Sequence, residues 1–277
     1  AQWQAVVLTG IITVLYSLQG GMKAVVYADA IQMVIIILGT IACIAIGLHA
    51  LGGLDVLVEQ APKERLTAVD FSSFGFSGDG FGFLPMLFGG IVLYASYYGC
   101  DQTQAQRALS AQNEGDLRKM IVANGIIRFP ITLLYCFSGL IVGTLALTNA
   151  EFFNKIPADN PDWLMPTFIL NYLPHGLIGL LIVAILSAAM SSLSSAINSL
   201  SAVTIEDYCR FTNKELEHKS YLKMAKVIGL VWGGITLILS LFAGNIAPTI
   251  IEAINKVGSV FYGPILALFL LAVASKA

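Results

Sequence analysis

Charged positions along the chain come in clusters, and the gaps between them predict its architecture. Residues 1–22 carry no Asp, Glu, Lys or Arg, and neither do 30–54, 80–100, 129–150, 163–205, 227–251 or 257–275. About 20 apolar residues cross the hydrocarbon of a bilayer as a helix. The runs show no strict alternation and exceed the length of a barrel strand. The pattern therefore predicts an all-α polytopic membrane protein with about seven transmembrane helices. The longest run is interrupted in its first third by Pro166 and by Pro174-His175-Gly176. We read 163–173 as a short interfacial helix and 176–207 as one long tilted span.

The charged residues between the runs set an orientation. With the first residue outside, Lys23, Arg107, Arg118, Lys119, Arg210, Lys214, Lys219, Lys223, Lys226 and Lys276 fall inside, and only Lys63, Arg65 and Lys155 fall outside. That asymmetry follows the positive-inside rule, in a plasma membrane or a bacterial inner membrane alike. The N-terminus is then outside and the C-terminus cytoplasmic. Segment 51–83 becomes an extracellular loop, either a lid or a plain connector, and 206–226 a cytoplasmic loop. The whole of 1–277 reads as a single transmembrane domain. It opens inside an apolar run without an initiator Met, so the expectation is a fragment that lacks upstream spans.

Composition narrows the function. The chain is 57% hydrophobic and 12% charged, with a mean hydropathy of +0.79. An ordinary soluble domain carries about 25% charge. A net charge of −2 offers nucleic acid no basic patch. Cys43, Cys100, Cys136 and Cys209 lie far apart and read as free thiols. No HExxH, nucleophile elbow, Walker loop or Rossmann glycine pattern is present, so nothing argues for an enzyme.

Polar residues inside spans are functional candidates by default. The densest group is Ser187 to Ser201, with seven serines in fifteen residues. Ala188, Ser191, Ser192, Ser195 and Ser199 share one helical face. Hydroxyl and carbonyl oxygens suit a hard cation such as Na⁺, and small residues equally suit close helix packing. Asp29 near the start of the second span needs a cation or a proton, unless it caps a helix start. Arg128 must face a partner or a water-filled cavity. Glu252 and Lys256 form an i,i+4 pair, with Asn255 beside them. Tyr94, Tyr97 and Tyr98 suit a binding-site wall or an interfacial belt. Gly258 to Pro264 in the last span predict a kink or an unwound turn.

At these residues the sequence resembles the sodium/solute symporter family. The block Tyr16-Ser17-Leu18-Gln19-Gly20-Gly21 through Asp29-Ala30-Ile31-Gln32 matches one family segment. Gly99-Cys100-Asp101-Gln102 through Gln106-Arg107 matches another. The serine-rich helix and Ile254-Asn255-Lys256 through Gly263-Pro264-Ile265-Leu266 also match. The resemblance implies a partial LeuT-type inverted-repeat bundle, running from core helix 4 to core helix 10 and lacking core helices 1–3 of the same protein. It implies Na⁺ as the coupling ion, one or two per cycle. A first site would take the Ala188 backbone with the Ser191 and Ser192 hydroxyls. A second, used by some members, would take Asp29, Ser191, Ser194 and Ser195.

The resemblance also implies substrate contacts at Tyr97, Arg128 and Asn255. Tyr94 stands where a sugar-carrying relative has Asn, which departs from the sugar pattern, and Arg128 leaves room for a carboxylate. The implied function is sodium-coupled symport of a small polar organic solute (sugar, carboxylate or amino-acid-like) by alternating access. The alternative is a seven-helix receptor or a solute sensor without transport. Against the receptor, no Asp-Arg-Tyr follows the third span.

Overall fold

The computed structural model describes residues 2–17, 22–67, 71, 73–76, 82–157, 160–213, 215–242 and 249–275. Helices account for the secondary structure among them. They are α1 (Gln2–Ser17), α2 (Met22–Leu51), α3 (Leu54–Gln60), α4 (Lys63–Leu66), α5 (Phe83–Cys100), α6 (Gln102–Leu109), α7 (Glu114–Thr148), α8 (Ala150–Phe153), a 3₁₀ turn (Pro161–Trp163), α9 (Leu164–Tyr172), α10 (His175–Thr212), α11 (His218–Ser240) and α12 (Ile250–Ala274). Six of these, α2, α5, α7, α10, α11 and α12, are long and apolar enough to cross a membrane. The seventh expected span corresponds to α1, which at 16 residues reaches about 24 Å.

Local signals explain most boundaries. Asn113 caps α7, its side-chain oxygen accepting from the Asp116 amide at 2.8 Å. Glu114 and Asp116 add negative charge to the first turn. The helix therefore starts well before the charge-free run at 129–150. Leu173 and Pro174 separate α9 from α10, and α10 is a single helix of 38 residues. It ends where Asn213 takes a left-handed conformation, φ 49°. The segment 51–83 holds α3 and α4; Asp70 and Ser72 of its Phe- and Gly-rich tract lie outside the described residues, as do Gly20 and Gly21. One expectation is corrected. No unwound turn occurs at Gly263-Pro264, because α12 runs unbroken through it. Proline removes the bond from its own N–H and crowds the carbonyl four residues earlier, which strains a helix locally, yet the hydrogen bonds on both sides keep it from opening here.

The chain forms two compact units, one of Ala1–Gly39 with Pro174–Pro248 and the other of Thr40–Leu173 with Thr249–Ala277. In the first, α1 packs on α10 and α11, and α10 on α11. Glycines let these helices approach. A Cβ on Gly10 would meet Leu237 Cδ1 at 2.7 Å, and one on Gly233 would meet Val14 Cγ2 at 2.6 Å. The α1–α11 crossing is thus a reciprocal pair of side chains seated on bare backbone. Gly39 of α2 takes Leu181 of α10 in the same way.

In the second unit, α5 pairs with α12, and α7 packs on α3, α8 and α9. Its tightest core is aromatic. Phe152 and Phe168 are wholly buried, and their rings meet Tyr172 at 5.5 and 5.2 Å. Asn149 caps α8 by accepting from the Phe152 amide at 3.0 Å. Elsewhere large apolar side chains point outward, and α12 buries none of its residues. Such a surface would be a liability in water and is the ordinary exterior of a helix in lipid.

Candidate functional site

Within the first unit, the serine-rich stretch of α10 divides by what each hydroxyl meets. Ser201 donates to the Ile197 carbonyl of its own helix at 2.7 Å, and Thr204 to Leu200 in the same way at 2.7 Å. Trp232 Nε1 of α11 donates to Thr204 Oγ1 at 3.0 Å. This lower stretch behaves as the packing reading expects. About two to three turns earlier the pattern changes. The Ser191 hydroxyl donates to Asp29 Oδ1 of α2. Ser191, Ser194 and Ser195 are all buried. The Ser194 hydroxyl makes no hydrogen bond of ordinary geometry among the described residues, and its polar neighbour is the Tyr16 phenol.

Tyr16 of α1 closes this cluster from a third helix. Its phenol donates to the Met190 carbonyl at 2.9 Å and lies close enough to interact with both Ser194 and Asp29. Ser17 reaches Asn198 of α10 at 3.4 Å. Among the described residues no three His, Cys, Asp or Glu side chains gather. The donors are therefore one carboxylate and several hydroxyls, which fit a hard cation and not a soft one. Ala188 is half-buried and Ser192 exposed, so the expected first-site residues divide between a buried Ser191 and an open Ser192.

Within the second unit, a cavity of about 690 Å³ lies among α5, α7 and α12. Tyr97, Arg128 and Asn255, expected as substrate contacts, all line it, together with Tyr94 and Tyr262. Its walls are mostly apolar or aromatic. Arg128 sits over the Tyr94 ring, 4.9 Å from its centroid. Arg128 Nη1 donates to the Tyr98 hydroxyl at 2.8 Å, and that hydroxyl donates to Asn124 Oδ1 at 3.2 Å. Tyr94 and Tyr98 stack one turn apart, 6.5 Å between centroids.

Neighbouring groups hold the cavity wall. Asp101 is a helix cap: its carboxylate accepts from the Thr103 and Gln104 amides at 2.8 and 3.3 Å. The cap starts α6 and fixes Gln104, which donates to the Tyr97 hydroxyl at 2.7 Å. On α5, the wholly buried Ser96 donates to the Tyr262 carbonyl of α12 at 3.0 Å. Lys256 and Glu252 pair at 2.8 Å, as their i,i+4 spacing predicts. Tyr16, Gln104 and Asn124 were not singled out as site residues from the sequence. Tyr16 and Gln104 lie inside blocks that carry the family resemblance, and Asn124 stands four residues before Arg128 on one helix face.

The model of the "Sodium:solute symporter family" matches residues 2–276. The sodium-coupled monocarboxylate transporter 2 of Bos taurus is 30% identical over 274 residues, covering 98% of this chain and 44% of that protein. The sodium-dependent multivitamin transporter of Oryctolagus cuniculus is 29% identical over 280 residues, covering 97% and 42%. The sodium/iodide cotransporter of Homo sapiens is 28% identical over 274 residues, covering 97% and 42%. The chain spans less than half the length of these curated relatives. Among solved structures, a substrate-bound, outward-open Na⁺-coupled sialic acid symporter described as having a novel Na⁺ site superposes with a TM-score of 0.77 at 22% identity, over 98% of this chain and 56% of that one. The likeness shows a LeuT-type helical membrane fold. The relatives are carriers and not enzymes, and the receptor and sensor readings find no support among them.

Proposed function

Because this chain belongs to the sodium:solute symporter family, we propose that it works in sodium-coupled secondary active symport, importing a small polar organic solute by alternating access. The observation that carries the reading is the buried group in the first unit. There the Asp29 carboxylate takes the Ser191 hydroxyl beside the buried Ser194 hydroxyl. One carboxylate with several hydroxyls is a donor set for a small hard cation. Na⁺ would be held by Asp29, Ser191, Ser194 and Ser195, and a further Na⁺ by the Ala188 carbonyl with Ser191 and Ser192. The solute would occupy the cavity lined by Tyr97, Arg128 and Asn255.

When bound, Na⁺ would supply positive charge beside Asp29 and favour one conformation over others by differential affinity. The residues do the rest. Asp29 and the serines select the ion by oxygen chemistry. Tyr97, held by Gln104, forms one wall of the cavity, and Asn255 offers a carboxamide that makes no hydrogen bond among the described residues. The reading includes an external N-terminus, a cytoplasmic C-terminus in a plasma or bacterial inner membrane, and further helices of the same protein completing the first site.

The test is uptake into proteoliposomes by the protein at its full natural length. Sugars, sialic acid, proline and monocarboxylates would be offered with an inward Na⁺ gradient and again with K⁺ replacing Na⁺. Uptake that needs Na⁺ and requires more of it in Ser191→Ala is expected. Uptake indifferent to Na⁺ in both proteins would contradict the reading.

A further inference from the structure

The first turns of α11 carry a row of lysines that neither the oxygen cluster nor the cavity uses. Lys219, Lys223 and Lys226 stand at i, i+4 and i+7, so they share one face of the helix and span about 10 Å along its axis. All three are exposed. Among the described residues none of them forms an ion pair; the pairs there are Lys119–Asp116, Lys155–Glu151 and Lys256–Glu252. We propose that this row binds the headgroup phosphate of an anionic phospholipid, in the leaflet that meets the start of α11. The proposal rests on the membrane-spanning architecture of the chain and not on the symport reading.

Packing decides which way the row faces. Tyr221 of α11 lies close enough to interact with Glu206 and Cys209 of α10, and Trp232 donates to Thr204 of the same helix. At about 100° per residue, these two positions lie roughly half a turn round from the lysines. Glu206 therefore sits on the opposite side of α11 from the row. The contact with α1 lies further along, where Leu237 meets Gly10 and Gly233 meets Val14, about two turns beyond Lys226.

The row runs straight into an apolar surface. Leu230 continues it at i+11, and Val227, Leu230 and Val231 are 55%, 49% and 56% exposed. The helix they belong to is long and apolar enough to cross a membrane. Lysines at the end of such a span lay their stems along apolar surface and hold their ammonium groups at headgroup level. Three on one face make a positive strip that a phosphodiester completes, while its acyl chains lie along Leu230 and Val231. A zwitterionic headgroup brings an ammonium of its own against the strip, and a soluble phosphate has no chains to lay on the apolar part.

The experiment uses the protein at its full natural length, purified in a neutral detergent. Dioleoyl phosphatidylglycerol and dioleoyl phosphatidylcholine share their chains and differ in headgroup charge. Each is titrated separately, and native mass spectrometry counts the lipid bound. Phosphatidylglycerol is expected to bind roughly 10- to 100-fold more tightly, since each lysine at an anionic surface contributes about fivefold. Lys219→Gln, Lys223→Gln and Lys226→Gln together should abolish the preference, and each alone should lower it roughly two- to fivefold. Lys219→Gln combined with Ser220→Lys keeps the net charge but moves one ammonium out of the row, and should bind as weakly as Lys219→Gln alone. Arg118→Gln with Lys119→Gln, which strips cations from the start of α7, should keep the preference. Glycerol 3-phosphate, a headgroup without chains, should fail to displace the bound lipid at the same concentration. In phosphatidylcholine nanodiscs the triple variant should melt with wild type, which shows it folded; with phosphatidylglycerol added, wild type alone should melt higher.

Equal affinity for the two lipids, an undiminished preference in the triple variant, or an equal loss in the α7 variant would each overturn the proposal. So would displacement by glycerol 3-phosphate, which would make the row a site for soluble phosphate.

Discussion

The serine cluster around Asp29 and the cavity around Arg128 are both polar exceptions in an apolar chain, yet they are built oppositely. The first is oxygen-rich: a carboxylate, buried serine hydroxyls and a tyrosine phenol meet from three helices. The second is a cavity of about 690 Å³ with aromatic walls and a single cation. Size and polarity sort the ligands. A bare cation fits hard oxygens at close quarters, and an organic solute fits a wider, mostly apolar space with a few polar groups.

The sharpest break would come at Asp29. Asp29→Asn removes the one carboxylate that the oxygen cluster has among the described residues, so half-maximal Na⁺ activation of uptake should rise roughly 10- to 100-fold. At saturating Na⁺ the solute affinity should stay within a few-fold of wild type. A Na⁺ activation curve unchanged from wild type would remove the cluster from the ion's path.

Ser194→Ala makes a subtler cut, because its sign separates two explanations. Ser194 is buried beside a Tyr16 phenol that already donates elsewhere, and deleting so poorly paired a hydroxyl stabilises, by up to about 1–3 kcal/mol. The variant should therefore melt higher than wild type without Na⁺, and gain less on adding it. A lower melting temperature in both conditions would mean that the hydroxyl already has a structural partner.

The packing between helices gives a control that touches neither site. Gly233→Ala puts a methyl against Val14, whose branched Cβ gives way poorly, at a cost of about 1–3 kcal/mol. Gly234→Ala meets nothing within 4 Å and should gain a few tenths to about 1 kcal/mol from helix propensity. Thermal unfolding of the two single variants checks this opposition of neighbours. The smallest effect belongs to Gln104→Leu. It removes one hydrogen bond to Tyr97 and should weaken solute by a few-fold, with Na⁺ binding unaltered.

The sequence carried most of the helices, because a bilayer demands long uncharged runs and the chain supplies them. It also carried α10 as one helix, since Pro174 marks its start. What the runs could not give was helix length, for they measure fit to hydrocarbon and not hydrogen bonding. The cap at Asn113 extends α7 far beyond its uncharged part, and α12 absorbs Pro264 without opening. Tyr97, Arg128 and Asn255 were placed by resemblance, and one cavity now holds all three. The division of the serines was not legible. Ser191 and Ser192 are adjacent and chemically identical, yet one is buried and the other exposed. Only the partners across the helix, Asp29 and Tyr16, decide which hydroxyl faces inward. The relay from Asp101 through Gln104 to Tyr97 is local in sequence, yet it needs the helix break at Asp101 to bring its members together.

The most direct test of the division between the two sites is equilibrium binding of radiolabelled Na⁺ to the purified protein without solute, in wild type, Asp29→Asn and Asn255→Ala. The account predicts weakened Na⁺ binding in Asp29→Asn and wild-type binding in Asn255→Ala. Undiminished binding in Asp29→Asn, or equal loss in both variants, would contradict it.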